Sequence, residues 1–221
     1  MIDPPRKGRR AVQNLEPIID KIRRDLETKN TARDMALKRS RDLIRYCALA
    51  IRAVHRAEFE GAAELLATAK TAARQMVDDL AVYPDLYHAG YAQDALKEYA
   101  EANITYALIT GRPLPGPDEL GVEYAAYLNG LGEAAGELRR HVLDIIRHNQ
   151  LERGEKILSA MDEIYSVLIT IDFPDAITRG LRRTTDMVRG VLERTRGDLT
   201  MSLRQEKLRQ ALRDFEERVK L

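Results

Sequence analysis

Five carboxylates on two segments of the chain have the spacing that metal-assisted chemistry requires. Asp94, Glu98 and Glu101 stand at i, i+4 and i+7, and Glu133 and Glu137 at i and i+4. At about 100° per residue, each set shares one stripe of a helix. The turns around them are apolar, with Leu96, Tyr99 and Ile104 on one segment and Leu131, Leu138 and Val142 on the other, which draws the acids toward partial burial. Gly130, Gly132 and Gly136 interrupt the second segment, and each costs about 1 kcal/mol relative to Ala inside a helix. Close approach of two helices compensates such a cost and lets carboxylates from both converge on a shared ion. Hard oxygen ligands without His or Cys select magnesium or manganese over zinc. An ion of that kind activates water and stabilises charge on a phosphoryl group. The same spacing also suits a solvated face whose acids pair with Lys97 or Arg140, and spacing alone leaves both readings open.

A second constellation is basic. Lys38, Arg41, Arg45, Arg52 and Arg56 fall within roughly a 60° arc at about 100° per residue. They lie opposite Leu43, Cys47, Ala50, Ile51 and Val54. A continuous positive stripe can follow a phosphate backbone without reading sequence, and His55 stands beside it. An ordinary solvated face of an amphipathic helix is the alternative. Tyr46, Tyr87, Tyr91, Tyr99 and Tyr106 offer rings that stack on bases or fill a core. His88 and His141 are the histidines near the acids, and both suit hydrogen bonding at least as well as metal ligation. The chain has no phosphate-binding glycine loop, no Gly-x-Ser-x-Gly elbow and no Glu-x-x-His pair, which counts against nucleotide hydrolysis, serine hydrolysis and di-iron oxidation.

The elements that position these residues are helices. Prolines fall at 4, 5, 17, 84, 113, 115, 117 and 174, leaving long stretches of good helix formers between them. The pattern predicts helices over 15–55, bent near Thr28-Lys29-Asn30, then over 60–81, 87–111, 123–148, 152–171 and 176–194, followed by a charged helical tail over 199–221. The cluster Arg112-Pro113-Leu114-Pro115-Gly116-Pro117-Asp118 is the strong loop, and Pro174 suits a helix start. No β-rich segment or fixed-period repeat appears. The expected fold class is all-α: a basic flexible tail over 1–14, then one helical domain over 15–221.

Composition bounds the partners. The 36 Lys and Arg balance 35 Asp and Glu, so any polyanion site is a local patch. A single cysteine, Cys47, allows no intrachain disulfide and suits a reducing cytosol. No run of about 18 apolar residues is present, so a cytoplasmic protein without a membrane partner is expected.

At this point the acids carry a family resemblance. Gln93-Asp94-Ala95-Leu96-Lys97-Glu98-Tyr99-Ala100-Glu101-Ala102 resembles the Q-E-Y-x-E-A segment of TRAX, the catalytic partner of translin. Tyr127-Leu128-Asn129-Gly130-Leu131-Gly132-Glu133-Ala134-Ala135-Gly136-Glu137-Leu138 resembles the Y-L-x-G-x-x-D-x-x-G-E-L segment of the same family. Their order matches, with a Pro-rich loop between them, and the likeness covers roughly residues 35 to 200, including the stretches 154–165 and 180–199. The resemblance implies a seven-helix bundle of the translin type that assembles into a closed hollow homo-oligomer, usually an octamer, with active sites facing inward. It implies a TRAX-like, Mg²⁺-dependent (or Mn²⁺-dependent) endoribonuclease on single-stranded RNA, with Glu98, Glu101, Glu133 and Glu137 as both metal ligands and catalytic residues. The family pattern often has Asp where this chain has Glu133, one methylene longer. The basic stripe and the acids on one chain allow a homo-oligomer to bind and cleave, and single-stranded DNA is a further possible partner. Two other readings stand beside this: a non-catalytic single-stranded DNA- and RNA-binding protein of the translin type, and a purely structural helical assembly.

Overall fold

The computed structural model describes residues 14–148 and 150–219. The expected basic tail over 1–14 therefore lies, but for Asn14, outside the described residues. Among those described there is no strand. Six long helices and three single turns follow the chain: α1 (Leu15–His55), α2 (Phe59–Leu80), α3 (Pro84–Tyr87), α4 (Gly90–Thr110), α5 (Pro117–Leu120), α6 (Tyr124–Arg147), α7 (Leu151–Leu168), α8 (Asp175–Thr178) and α9 (Leu181–Val219).

The breaks follow local chemistry. Pro84 and Pro117 open the single turns α3 and α5 at a position where a missing N–H costs nothing. α4 ends where Gly111 takes φ 70°, a left-handed conformation that glycine adopts without a Cβ clash, and the Arg112 N–H donates back to the Ala107 carbonyl at 2.9 Å.

α1 is continuous through Thr28-Lys29-Asn30. The C-terminal helices differ from the expectation: the segment expected over 176–194 is interrupted at Arg179 and Gly180, which take φ 53° and 82°, and the stretches expected as separate helices on either side of 194–199 are one helix of 39 residues, α9. No proline or loop sequence falls between Arg194 and Leu199, so nothing stops the helix there.

α4 and α6 form the centre. α4 packs against α1 and α6, and α6 also packs against α7 and α9, while α2 covers α1. Leu43, Met76, Leu96, Ile104, Leu138, Met161 and Leu199 are fully buried along these seams. α4 is buried on most of its circumference, and Ala92, Ala95, Ala100 and Ala102 give it the slimness that this demands. Tyr99 and Tyr106 are core residues; Tyr46, Tyr87 and Tyr91 are partly buried against the core.

Candidate metal centre and nucleic-acid face

The α4–α6 seam is where the two acid stripes meet. A Cβ placed on Gly130 lies 2.7 Å from the Lys97 carbonyl oxygen and 3.0 Å from both the Ala100 Cβ and the Glu101 nitrogen. Two backbones thus touch where any larger residue would force them apart. Gly132 instead makes room for side chains, since a Cβ there would run into the Thr184 methyl of α9. Gly136 has open space around it, so the close-approach argument accounts for two of the three glycines.

That approach brings Glu98, Glu101 and Glu133 together: one carboxylate oxygen from each lies within 4.8 Å of the others. Glu101 is 8% exposed. Burial, then the charges of Glu98, Glu133 and Glu137, push its pKa up to about 8. Burial also raises Glu98, with Lys97 opposing and Glu133 reinforcing the shift. Lys97 donates to Glu133 at 2.7 Å and stands 3.6 Å from Glu98. Burial disfavours its charge, but the bond to Glu133 and the surrounding acids outweigh that and hold its pKa above the usual lysine range. Helical spacing predicts Lys97 as a surface partner along its own helix; in the structure it crosses to Glu133 on α6.

Glu137 stands apart from this triad. Its Oε2 lies 2.5 Å from Nε2 of His55, whose side chain is 3% exposed. That hydrogen bond, against the effect of burial, holds the Glu137 carboxyl below its ordinary value. Nδ1 of His55 and Nε2 of His141 are buried without a hydrogen-bond partner among the described residues. The His55–Glu137 contact escaped the sequence reading because the two residues are 82 positions apart; the one available signal was a histidine on the edge of the α1 face that turns toward the acids. Asp94, the first acid of the α4 stripe, makes no hydrogen bond or ion pair with the described residues.

Lys38, Arg41, Arg45 and Arg52 on α1 and Arg56, which caps its C-terminus, are all exposed, and Leu43, Cys47, Ala50, Ile51 and Val54 on the opposite side are buried. Arg45 bonds Asp42 at 3.1 Å and lies 5.2 Å over the Tyr46 ring; Arg52 donates to the Ala48 carbonyl. The others make no side-chain bond to a described residue. At about 100° per residue, Arg52 sits roughly 60° around α1 from His55, so the cationic face lies next to the edge of α1 that carries the His55–Glu137 bond.

The structure thus joins a helical bundle, a carboxylate triad in its central seam that could hold a metal ion, and a cationic helix face. Comparison with known proteins gives this combination a family. No protein-family model matches the chain. An uncharacterized protein of Methanocaldococcus jannaschii is 30% identical over 189 residues, 85% of this chain and 84% of that protein. The crystal structure of AfC3PO is 32% identical with a TM-score of 0.78, covering 83% of this chain and 96% of that one. AfC3PO in complex with duplex RNA is 31% identical with a TM-score of 0.74, covering 83% and 95%. Apo-NeC3PO, 22% identical with a TM-score of 0.78, shares the fold. The chain belongs to the C3PO family of translin-type proteins.

Proposed function

We propose that this protein is a metal-dependent endoribonuclease acting on single-stranded RNA, with residues 15–221 as one translin-like domain that works as a cytoplasmic homo-oligomer. The observation that carries this reading is the triad of Glu98, Glu101 and Glu133, whose carboxylate oxygens converge from two helices within 4.8 Å. The fit to a hard cation is chemical: the donors are all oxygen, and burial first, then the charges of Glu98, Glu133 and Glu137 against the opposing Lys97, push the Glu101 pKa up to about 8, a penalty on the carboxylate that a bound cation would relieve. Mg²⁺ or Mn²⁺ held there supplies charge stabilisation at a phosphoryl group and activation of water. Glu101 and Glu98 on α4 and Glu133 on α6 hold it. Glu137, fixed by His55, stays ionised beside the triad, available to complete the ligand set or to accept a proton. Lys97 keeps the triad together in the metal-free state, and Lys38, Arg41, Arg45, Arg52 and Arg56 guide the phosphate chain toward the seam. The family relationship supports nucleic-acid binding, since one relative is in complex with duplex RNA.

A second reading, a single-stranded DNA- and RNA-binding protein without turnover, is favoured by one observation: Lys97 and His55 already satisfy Glu133 and Glu137 without a metal. Incubation of the purified protein with labelled single-stranded RNA, with magnesium and with EDTA, decides between them. Magnesium-dependent internal cleavage that Glu133→Gln abolishes while RNA affinity persists establishes the nuclease. Binding without cleavage under either condition establishes the second reading.

A further inference from the structure

Beside the triad, a cavity of about 350 Å³ opens between α4, α6 and the α8–α9 corner, a size within the range of small-molecule sites. Glu133 and Lys97 belong to both its wall and the triad region. Its wall is mixed, slightly more polar than apolar, with Ala125 and Ala126 beside side chains that can hydrogen-bond, and no aromatic ring is among its lining residues. A nucleobase would find no stacking surface there, whereas a sugar and a phosphate would find hydrogen-bonding groups on every side.

Most of those groups are already engaged. The Asn129 amide donates to the Ala125 and Thr178 carbonyls at 2.8 and 2.9 Å and accepts from the Thr184 hydroxyl at 2.6 Å. Arg179 donates to the His88 carbonyl at 2.8 Å, and Lys97 is held by Glu133. The side chains of Asp94, Asp175 and Arg183 make no hydrogen bond or ion pair with described residues. Asp94 is four residues, one helical turn, before Glu98 on the stripe that carries the triad; Asp175 belongs to the α8–α9 wall, as does Arg183.

Resting on the nuclease reading, we propose that this cavity is a ribose–phosphate subsite for one nucleotide of single-stranded RNA flanking the cleaved bond, in which Asp94 accepts a hydrogen bond from the 2′-hydroxyl and Arg183 holds the phosphate. A carboxylate is acceptor-only, so it engages a hydroxyl donor and gains nothing from a deoxyribose C–H. The planar guanidinium matches phosphate oxygens in pairs. Because the wall reads sugar and backbone, the site discriminates RNA from DNA with little regard to base.

The test walks a single 2′-deoxy nucleotide along an otherwise all-ribose oligonucleotide and measures kcat/KM with magnesium. The wild-type protein should lose about tenfold at one position beside the cut, the size of a lost hydrogen bond to a charged acceptor. Asp94→Ala should erase that loss, Asp175→Ala should keep it, and Arg183→Gln should raise KM while keeping the ribose-to-deoxyribose ratio. An unchanged deoxy penalty in Asp94→Ala, or its disappearance in Asp175→Ala, overturns the assignment. So does tight capture of free adenosine 5′-monophosphate by a protein whose oligonucleotide cleavage ignores the 2′ position, which would make the cavity a free-nucleotide site. A wild-type protein that cleaves nothing refutes the nuclease reading alone. The same oligonucleotides, compared by binding affinity in wild type and Asp94→Ala, then judge the cavity by the same ratio.

Discussion

Glu101 stands where the proposed metal site and the stability of the fold pull in opposite directions. Its carboxyl is buried among three other acids and its pKa rises from 4.5 in the unfolded chain to about 8 in the fold. The folded protein therefore binds a proton that the unfolded chain has released. The Glu101 contribution to metal-free stability is fully present below pH 4.5 and is lost as pH rises toward about 8, with a slope approaching about 1.4 kcal/mol per pH unit in that window. Glu101→Gln should flatten this decline: with EDTA present, its melting temperature should exceed that of the wild type near pH 8 and match it near pH 4.5, while magnesium-dependent cleavage is lost. Thermal melts across that range check the sign. A variant less stable than wild type at the alkaline end would mean that the Glu101 carboxylate is held by something other than its like-charged neighbours. Magnesium should raise the wild-type melting temperature more at the alkaline end than at the acid end, because ligands must be deprotonated to bind it.

At the level of helices, the glycines of α6 give a matched pair of substitutions. Gly130→Ala forces a methyl against the Lys97 carbonyl and the Glu101 nitrogen, both backbone atoms that cannot swing aside, and should cost about 1–3 kcal/mol as overpacking does. Because that contact sets the distance between Glu101 and Glu133, cleavage should fall further than stability. Gly136→Ala meets nothing within 4 Å and should stabilise by up to about 1 kcal/mol from helix propensity alone. Denaturant midpoints for the two variants should move in opposite directions. The two glycines look alike in the sequence, and only the placement of α4 tells them apart. The elements themselves were legible for the opposite reason: proline and glycine act locally, so α1 and α2 fall within a residue or so of their expected bounds, and α6 within one at each end. The continuity of α9 was hidden by the polar run Arg194-Thr195-Arg196-Gly197-Asp198, which interrupts the apolar periodicity without stopping the helix. At the site, the stripes of Glu98 with Glu101 and Glu133 with Glu137 could be read from spacing. The bonds of Lys97 and His55 could not, because they depend on how helices far apart in sequence are rotated toward each other.

The whole molecule leaves apolar surface uncovered at its two longest helices. Leu15, Ile18, Ile19, Ile22 and Leu26 are exposed on α1, and Met201, Leu208, Leu212, Phe215 and Val219 on α9, both at helical spacing. One bundle cannot bury these stripes, so the 25.1 kDa chain should sediment well above monomer mass at micromolar concentration, and Leu208→Glu with Leu212→Glu should shift it toward the monomer. A monomeric wild-type protein would refute this. The cationic face of α1 makes a separate demand. Phosphate contacts to a single strand release about 0.7 counterion each, so replacing Arg41, Arg45 and Arg52 together by Gln should flatten the slope of log affinity against log salt by roughly two. Unchanged affinity and slope in that variant would move the nucleic-acid path elsewhere. The length of α9 has one more consequence. Its last fully buried side chain is Leu199, and the 20 residues from there to Val219 extend about 30 Å at 1.5 Å per residue. Until a neighbour covers it, that arm is a substrate for proteases. Dilution should therefore open a cleavage site after Leu203 while the core of the bundle resists digestion, and the fraction of trimmed chain will report how much of the protein is unassembled.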